Sequence, residues 1–494
     1  MRRAGAHRLP GVTGLTRYSQ GPRDVDEEVF VAPTPSPRTG TDRRSFLRFT
    51  AGAAALLPLG ALAGCSGGGR DAGTLRIAFQ QFGSNTIKQE WIERAAETFS
   101  AQNPELVIDL VPIVASENDY FTKNELLMSS PRTSPDLVYE DSFILLSDVG
   151  AGYLQPMTDL VEGWDHWDDI AEASKLAVTG EDGEVYGVPI TTDTRAIWFH
   201  REVFEQAGLP ADWQPTSWDD ILEAARAIKD SGSEAIPFFM FAGTPQGEKA
   251  SMQGFEMLLY GTGDGTGLYD EDTKKWVLGS QGFIDSLAFL KTVVDEELTA
   301  SLGQLLDPNI SEQIYTSLLP DAKLGMLIDG SWISQNWTET AGRPWPEWPE
   351  VVGLADMPTQ DGGGTGTVTL AGGWGLSIPQ HVTDRETAFR FLETLVSTET
   401  LVDYAIADNH ITVRNDVAEV EEYLSYSPAV EYFTKLLDTA YYRPALPAYP
   451  EVSSALQEAM EAVLTGSEPE AAAAAYDATV RDIVGPENVQ EAQG

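Results

Sequence analysis

Pairs of adjacent carboxylates are the first groups in this sequence that could do chemistry. Asp168 with Asp169, and Asp219 with Asp220, could in principle supply an acid and a base. Hydrolysis of a glycosidic bond needs two carboxyl groups that face each other across that bond. Neighbouring residues on a helix point about 100° apart. Neither pair therefore faces a common bond, and the pattern disfavours catalysis.

Two tryptophans beside glycines are better placed to act on a ligand. Trp332 follows Gly330 at the end of a predicted strand, where glycine lets the backbone approach closely. Trp374 lies between Gly373 and Gly375, whose missing side chains expose the indole face. Such a face stacks on the apolar faces of a ligand. The alternative for both residues is a position in the core, where large aromatic side chains commonly lie.

Known catalytic and nucleotide-binding motifs are missing from the sequence. H-E-x-x-H and the P-loop do not occur, and the glycine-rich stretch 261–267 breaks the G-x-G-x-x-G pattern and predicts a turn. The single cysteine excludes an intramolecular disulfide and a zinc site of two thiolates. The five histidines never fall within four residues of one another. We therefore expect neither a metal nor a cofactor.

Charge excludes a further class of function. The 494 residues include 32 Lys and Arg against 76 Asp and Glu, which gives a net charge of -44. Such a surface repels phosphate backbones and anionic lipid headgroups, so we expect no nucleic-acid partner.

The length allows two to four domains at roughly 100 to 200 residues each.

The N-terminal segment has the pattern of an export signal. Its apolar stretch, 49–62, is shorter than the roughly 20 residues that cross a membrane. Arg43 and Arg44, followed by Ser-Phe-Leu-Arg, resemble the twin-arginine signal. The sequence therefore predicts a cleaved signal peptide over 1–64.

Cys65 follows Leu62-Ala63-Gly64, which resembles the lipobox of bacterial lipoproteins. The thiol of a cysteine at this position carries the lipid anchor, and Cys65 is the only cysteine in the chain. The glycine-rich residues after it predict a flexible tether over 65–73. We expect an exported protein, anchored by Cys65 to the outer face of the cell membrane.

The folded part begins with alternating strands and helices. Apolar runs at 75–79, 106–114 and 136–139 predict strands, and amphipathic stretches at 87–99 and 120–128 predict helices. This alternation is typical of a parallel sheet with right-handed crossovers. Ligands of such sheets bind beyond the carboxyl ends of the strands.

Polar residues follow two of these strands. Gln80 and Gln81 follow the first, and Glu140 and Asp141 follow the third. They are candidate ligand contacts.

Further along the chain, 217–220 resembles a capping box before a helix whose buried stripe includes Trp218, so this tryptophan is expected in the core.

Five sets of segments resemble, in order, the extracellular solute-binding proteins of bacterial ABC importers, in the carbohydrate-binding family that includes the maltose-binding protein. They are 134–139 (SPDLVY) with 152–157 (GYLQPM), 183–189 (GEVYGVP), 215–220 (PTSWDD), 326–332 (MLIDGSW) and 372–379 (GGWGLSIP). The resemblance extends from Thr74 to roughly Gly485.

The resemblance implies an α/β, two-lobed periplasmic-binding-protein-like fold. Each lobe is a mostly parallel sheet flanked by helices, and crossing hinge strands near 191–194, 370–373 and Glu421 join the lobes. The implied boundaries are 74–193 with 373–422 for the N-terminal lobe and 194–372 with 423–494 for the C-terminal lobe.

The resemblance also implies a function. Such proteins capture a sugar or oligosaccharide between the lobes and deliver it to permease transmembrane subunits that work with a cytoplasmic ATPase. They are not enzymes, and we expect a monomer. A secreted glycoside hydrolase, and the same fold with a non-sugar solute, are the alternatives.

A sugar has apolar faces and a belt of hydroxyls, so its site needs aromatic platforms and polar partners. The resemblance assigns stacking to the two tryptophans beside glycines and polar or lining roles to the other candidates. The full set is Trp332, Trp374, Asp193, Gln80, Gln81, Glu140, Asp141, Asp329, Phe238, Gln246, Tyr442 and Arg443. Asp193, Glu140 and Asp141 predict an anionic cleft that disfavours phosphate, sulfate and uronate ligands.

The lipid anchor is tested by removing its thiol. Cys65→Ala is expected to leave the protein unprocessed or to shed it from the membrane fraction, because no sulfur remains to take the lipid. Replacing Arg43 and Arg44 with lysine should block export. Cell fractionation with immunoblotting measures both effects. Unchanged fractionation of the Cys65→Ala protein would contradict the anchor.

Overall fold

The computed structural model describes residues 73–82, 85–115, 117–263, 267–339 and 341–492. The signal peptide over 1–64, the anchor at Cys65 and nearly all of the tether over 65–73 lie outside the described residues.

The described residues form sixteen strands. These are β1 Thr74–Gln81, β2 Val107–Val114, β3 Leu137–Asp141, β4 Val188–Asp193, β5 Arg195–His200, β6 Ile236–Phe239, β7 Tyr269–Asp270, β8 Lys275–Leu278, β9 Leu324–Gly330, β10 Val352–Ala355, β11 Met357–Pro358, β12 Thr367–Val368, β13 Leu370–Ser377, β14 Ile411–Thr412, β15 Tyr441–Tyr442 and β16 Val489–Glu491.

The same part of the chain forms twenty α-helical segments. These are α1 Ile87–Gln102, α2 Glu117–Met128, α3 Leu145–Gly150, α4 Thr158–Val161, α5 Glu172–Leu176, α6 Arg201–Gln206, α7 Trp218–Asp230, α8 Glu248–Ala250, α9 Glu256–Leu259, α10 Gln281–Asp295, α11 Leu302–Leu305, α12 Ile310–Gln313, α13 Trp348–Val351, α14 Arg385–Leu395, α15 Thr398–Asp408, α16 Asn415–Ala418, α17 Glu421–Ser425, α18 Pro428–Leu436, α19 Tyr449–Leu464 and α20 Pro469–Val484. Of these helices, none is long and apolar enough to cross a membrane.

Two sheets carry the fold. The seven-stranded sheet has the order β14-β4-β13-β3-β1-β2, with β15 paired to β13, and the four-stranded sheet has the order β10-β5-β9-β6. The predicted α/β class with strands β1, β2 and β3 and helices α1 and α2 is confirmed. Two shorter sheets, β11-β12 and β16-β8-β7, accompany them.

The sheets are mixed, which corrects the expectation of mostly parallel sheets. Strand β1 is parallel to β2 and β3, but β13 is antiparallel to β3 and β4, and β5 is antiparallel to β9 and β10. The reason is connectivity. Strand β13 returns from the second sheet, lies between β3 and β4, and is therefore antiparallel to both.

Each large sheet has its own hydrophobic core in the described part of the chain. The first core draws its buried residues from 75–190 and 376–417, and the second draws them from 196–370 and 411–489. The chain passes from the first core to the second between β4 and β5, and it returns along β13. The predicted lobe boundaries stay a prediction that this division supports.

Helix α7 shows why local sequence predicts local structure here. The Ser217 hydroxyl accepts the N–H of Asp220 at 3.4 Å, and the Asp220 carboxylate accepts the N–H of Ser217 at 3.1 Å, as the capping box requires. Trp218 and the other stripe residues are buried against the second core, as predicted.

Candidate functional site

A stack of aromatic rings lies where β13 meets β3. The rings of Trp374 and Tyr139 are 4.9 Å apart and nearly parallel, at 14°. The Lys88 ammonium lies 5.4 Å from the centroid of Tyr139 and 5.9 Å from that of Trp374. A shallow cleft opens beside this stack, and the hydroxyl-bearing Tyr442 and Ser142 line it.

The glycines beside Trp374 are required by the sheet. A Cβ at Gly373 would lie 2.4 Å from the Thr191 carbonyl oxygen, and one at Gly375 would lie 3.0 Å from the Val188 carbonyl oxygen. Close approach of β4 therefore demands glycine at these positions. Trp374 itself is half-buried, so its indole is partly exposed as the sequence predicts.

Trp332 is held tightly at the end of β9. It belongs to a 3₁₀ turn, Ser331–Trp337, and it is half-buried against the second core. A Cβ at Gly330 would lie 1.8 Å from Cζ3 of the indole, so the ring packs directly on the Gly330 backbone. The Arg195 guanidinium carbon lies 5.0 Å from the ring centroid, and the His410 ring is nearly parallel to the indole at 6.3 Å.

Asp193 does not offer a free carboxylate. Its Oδ1 pairs with the Arg195 guanidinium and accepts the N–H of Gly372 at 2.9 Å. Asp193 and Arg195 are both 4% exposed. The ion pair therefore lies buried at the point where the chain passes between the two cores.

Arg443 makes a second buried bridge. Its Nη2 donates to Asp141 Oδ1 and to the Ser142 hydroxyl, both at 2.9 Å, while its Nη1 donates to Glu248 Oε1 at 3.1 Å. Asp141 ends a strand of the first sheet, and Glu248 begins α8. A single guanidinium therefore ties the first sheet to the helices of the second core.

Glu248 and Glu256 form the buried end of that bridge. The Tyr449 hydroxyl lies within hydrogen-bond distance of both, 2.9 Å from Glu248 Oε1 and 2.5 Å from Glu256 Oε1, and the Ser453 hydroxyl donates to Glu248 at 2.6 Å. Burial raises the pKa of Glu248 to about 8 and that of Glu256 to about 7, although Arg443 opposes the shift in both. Glu248 and Glu256 lie on one helical stretch, which has a π-helical turn, Ser251–Phe255, between the two residues.

Gln80 and Glu140 are neighbours on one face of the first sheet, because β1 and β3 pair in parallel with Ala78 opposite Val138. Asn124 of α2 donates to Glu140 Oε1 at 2.6 Å. The second Glu140 oxygen and both amide atoms of Gln80 have no hydrogen-bond partner among the described residues. Burial and the nearby carboxylates raise the pKa of Glu140 well above its usual value.

Three predicted site residues pack or form hydrogen bonds within the second core. Asp329 is fully buried and accepts the Tyr315 hydroxyl and the Gly330 N–H, both at 2.8 Å, and burial raises its pKa to about 6. Phe238 packs edge-on against Phe289 in the core. Gln246 donates its amide to the carbonyls of residues 305 and 307. The structure therefore does not bring these side chains to the cleft.

The two remaining predicted residues are not buried. Tyr442 is 37% exposed and lines the cleft beside Trp374. Gln81 is half-buried at the end of β1. The roles of all these residues in binding stay a prediction.

Sequence reasoning missed several residues of the site. Tyr139 was assigned only to a strand, and Lys88 only to a helix. Arg195 lies two positions after Asp193, and an arginine so close to a candidate acid in a strongly acidic chain was a usable signal. His410 was not a candidate, yet its Nδ1 lies 2.8 Å from a carboxylate oxygen of Asp408.

The prediction of an anionic cleft is wrong. Arg195 neutralises Asp193, and Arg443 neutralises Asp141. Burial and the nearby Asp148 and Asp141 raise the pKa of Glu140 well above its usual value, which disfavours its charged form. Charge at the cleft thus differs from the charge of the whole chain.

One group of side chains has the atoms of a metal site. Among the described residues, His166, Asp169 and Asp416 bring one ligand atom each within 4.8 Å of the others. Arg414, however, donates to Asp416 at 2.9 Å and lies 3.1 Å from His166 Nδ1. A guanidinium already supplies the positive charge there, so the arrangement does not fit a metal ion.

The acidic pairs named at the outset do not converge. Asp168 and Asp219 are exposed, Asp169 bonds to His166 at 3.0 Å, and Asp220 caps its own helix. No oxygen of either pair is therefore aimed at a bond shared with its neighbour.

Comparison with known proteins agrees with this geometry. The sequence model of the family described as bacterial extracellular solute-binding protein matches residues 83–401. A binding protein of Brucella abortus is 24% identical over 422 residues, which are 83% of this chain and 94% of the relative. An arabinooligosaccharide-binding protein of Halalkalibacterium halodurans is 24% identical over 305 residues, 60% of this chain and 63% of the relative.

Solved structures show the same fold. The ABC transporter solute-binding protein of Thermotoga lettingae, crystallised with α-D-tagatose, superposes with a TM-score of 0.70 at 23% identity. The match covers 83% of this chain and 100% of that one. The two-lobed periplasmic-binding-protein-like fold predicted from the sequence is thereby confirmed.

The buried carboxyls predict that stability falls as pH rises. Glu256 has a folded pKa of about 7 and Glu248 one of about 8, against a usual value of 4.5. The folded state therefore holds more protons than the unfolded state, and the stabilisation present below pH 4.5 is lost as pH rises through 8. We expect the free energy of unfolding, measured in urea, to fall by about 6 kcal/mol from pH 5 to pH 8 when both groups are counted.

Glu256→Gln should weaken this pH dependence, because the amide stays neutral. Glu458→Gln, an exposed change on α19, is the matched control and should leave the pH dependence unchanged. Equal pH profiles for Glu256→Gln and the wild type would contradict the assignment.

Proposed function

The chain belongs to the family of bacterial extracellular solute-binding proteins, and from that premise we propose that it captures a carbohydrate between its two cores and delivers it to the permease of an ABC importer. The observation that carries the proposal is the pairing of a partly exposed indole, Trp374 on Tyr139, with a half-buried one, Trp332, at the strand crossing. Indole faces of this kind suit the apolar faces of a sugar ring.

The polar groups around the tryptophans suit hydroxyls. An ionised carboxylate has about four acceptor sites, so Asp193 and Asp141 keep acceptors beyond those taken by arginine. The hydroxyls of Tyr442 and Ser142 line the cleft. We propose Trp332 and Trp374 as stacking residues and these groups as hydroxyl partners. Gln80 and Glu140, with unpartnered atoms among the described residues, are further proposed contacts.

The arabinooligosaccharide-binding relative supports a sugar as the solute. We propose lobes of 74–193 with 373–422 and of 194–372 with 423–494, and a monomer. A non-sugar solute in the same fold is the alternative, and a thermal-shift screen against sugars, polyols and amino acids distinguishes the two.

We propose that the protein is not an enzyme. The acidic pairs do not suit the alternative of a glycoside hydrolase, since neither Asp168 with Asp169 nor Asp219 with Asp220 faces a common bond. Release of reducing ends from arabinotriose or maltotriose by the purified protein would overturn this part of the proposal.

We propose that Cys65 carries a lipid that holds the protein at the outer face of the membrane. The support is the lipobox-like 62–65 and the absence of any other cysteine from the sequence. The fractionation experiment on Cys65→Ala decides it.

The capture proposal predicts a closing motion. Binding should draw the lobes together, because a bound sugar contacts both, and the radius of gyration should fall while the molecular mass stays that of a monomer. Small-angle scattering with and without a saturating sugar from the screen measures both. An identical scattering curve at saturation would count against closure.

A second prediction concerns Trp332. Stacking desolvates a large area on the ring and on the sugar, whereas one hydroxyl contact yields a net gain of roughly 1 kcal/mol. Trp332→Ala should therefore weaken binding by about 2 to 4 kcal/mol, which is about 30-fold to 1,000-fold. Titration calorimetry with the sugar that stabilises the wild type most measures the loss.

Trp167→Ala is the matched control for that measurement, since Trp167 is also half-buried but packs on the first core beside Lys175. It should bind like the wild type. If Trp332→Ala folds normally and binds within about threefold of the wild type, Trp332 is a core residue and not a binding residue.

A further inference from the structure

Arg195 lies at the centre of the strand crossing. Its Nη1 donates to the Asp193 carboxylate and to the Leu370 carbonyl at 3.2 Å, and its Nη2 lies 3.6 Å from the sulfur of Met252. Its backbone N–H and carbonyl both bond to the Thr369 hydroxyl at 2.9 Å. The side chain is therefore held at several points and is almost completely buried.

The guanidinium reaches Trp332 from this fixed position. Arg195 pairs with Gly330 across β5 and β9, and Trp332 follows two positions later. The guanidinium carbon lies 5.0 Å from the indole centroid, within the range of a cation–π contact. Gly330 lies against the same ring, where a Cβ would overlap it. The indole thus lies between a glycine backbone and a buried cation that is bonded at several points.

We infer that Arg195 is a positioning residue that holds the Trp332 indole ready for ligand and links its orientation to the strand crossing. The link runs through Asp193, which accepts both the guanidinium and the N–H of Gly372 on β13. The inference rests on the proposed function, because it concerns how Trp332 is presented to a sugar. An indole already fixed in its bound orientation loses little conformational freedom on binding.

Space at the crossing supports the link. A Cβ at Gly372 would lie 3.2 Å from Asp193 Oδ1 and from Arg443 Nη2, and 3.5 Å from Arg195 Nη2. The two guanidinium groups and the carboxylate therefore converge on one glycine. A shift of β13 during closure would move this carboxylate, and the carboxylate would move Arg195.

Lysine cannot replace arginine in this role. The guanidinium is planar and has several donors, so it can bond to Asp193 and Leu370 while its carbon lies over the indole. An ammonium is a compact point charge that can keep the ion pair but lacks the planar group that lies over the indole. Arg195→Lys therefore keeps the positive charge at this position but removes the planar group that we infer positions the ring.

The test combines a ligand-free and a ligand-bound measurement on the mature protein. With 5-fluorotryptophan in place of the 12 tryptophans, ¹⁹F NMR gives one resonance for each ring, and Trp332→Phe identifies that of Trp332. Arg195→Lys should shift or broaden this resonance more than any other from a ring outside its contacts. Calorimetry then gives affinities for the best binder among arabinotriose, maltose and D-tagatose.

A double-mutant cycle separates positioning from a general structural effect. We expect Arg195→Lys to weaken binding about 5-fold to 20-fold in the wild type and by less than twofold when Trp332 is already phenylalanine. An equal loss in both backgrounds would overturn the inference, because Arg195 would then act on the crossing itself. An unchanged Trp332 resonance in Arg195→Lys would overturn it as well.

Arg414→Lys is the matched control. Arg414 is also buried, bonds to Asp416 at 2.9 Å and lies 5.7 Å from the Trp164 ring, but it belongs to the first core. It should shift the resonance of Trp164, leave that of Trp332 in place and keep the wild-type affinity within twofold. If the wild type binds none of the three sugars, the proposed function fails for them, while the ¹⁹F measurement still decides the contact between Arg195 and Trp332.

Discussion

A carboxylate buried at a strand crossing is stable only when a cation or a proton neutralises it, and this constraint organises the candidate site. Asp193 and Asp141 both end strands of the first sheet at that crossing, and a buried arginine meets each of them. Glu140 has no arginine partner among the described residues, and its pKa rises instead. Removing one partner of such a pair leaves an uncompensated buried charge, so the pairs can change only together.

The same constraint connects the two cores. Arg195 belongs to the second sheet and Asp193 to the first, so their ion pair spans the first passage of the chain between the cores. Arg443 joins Asp141 of the first sheet to Glu248 of the second core. The passages between the cores are therefore cross-linked by charge, in a region that must also bend if the lobes close over a ligand.

The charge around the cleft differs from the charge of the whole chain. A net charge of -44 suggests strong repulsion of anions, yet Asp193 and Asp141 are each paired with an arginine, and burial raises the pKa of Glu140. Selection there must therefore depend on shape, aromatic stacking and hydrogen bonding more than on charge. We propose that Trp374 and Trp332 supply the aromatic part; Trp374 stacks on Tyr139, Trp332 lies beside Arg195, and glycines let the backbone approach both indoles closely.

Periodicity and local motifs in the sequence by themselves determined the first strands and helices, the capped helix with Trp218, the glycines beside Trp332 and Trp374, and the family. These features depend on residues within a few positions of one another, where spacing decides which side chains share a face. Only the tertiary structure decided that the sheets are mixed, that Phe238 lies in the core and that the acids at the cleft are paired. Arg443 lies 302 positions from Asp141, and no local pattern relates two residues that meet only after the chain has crossed between its cores.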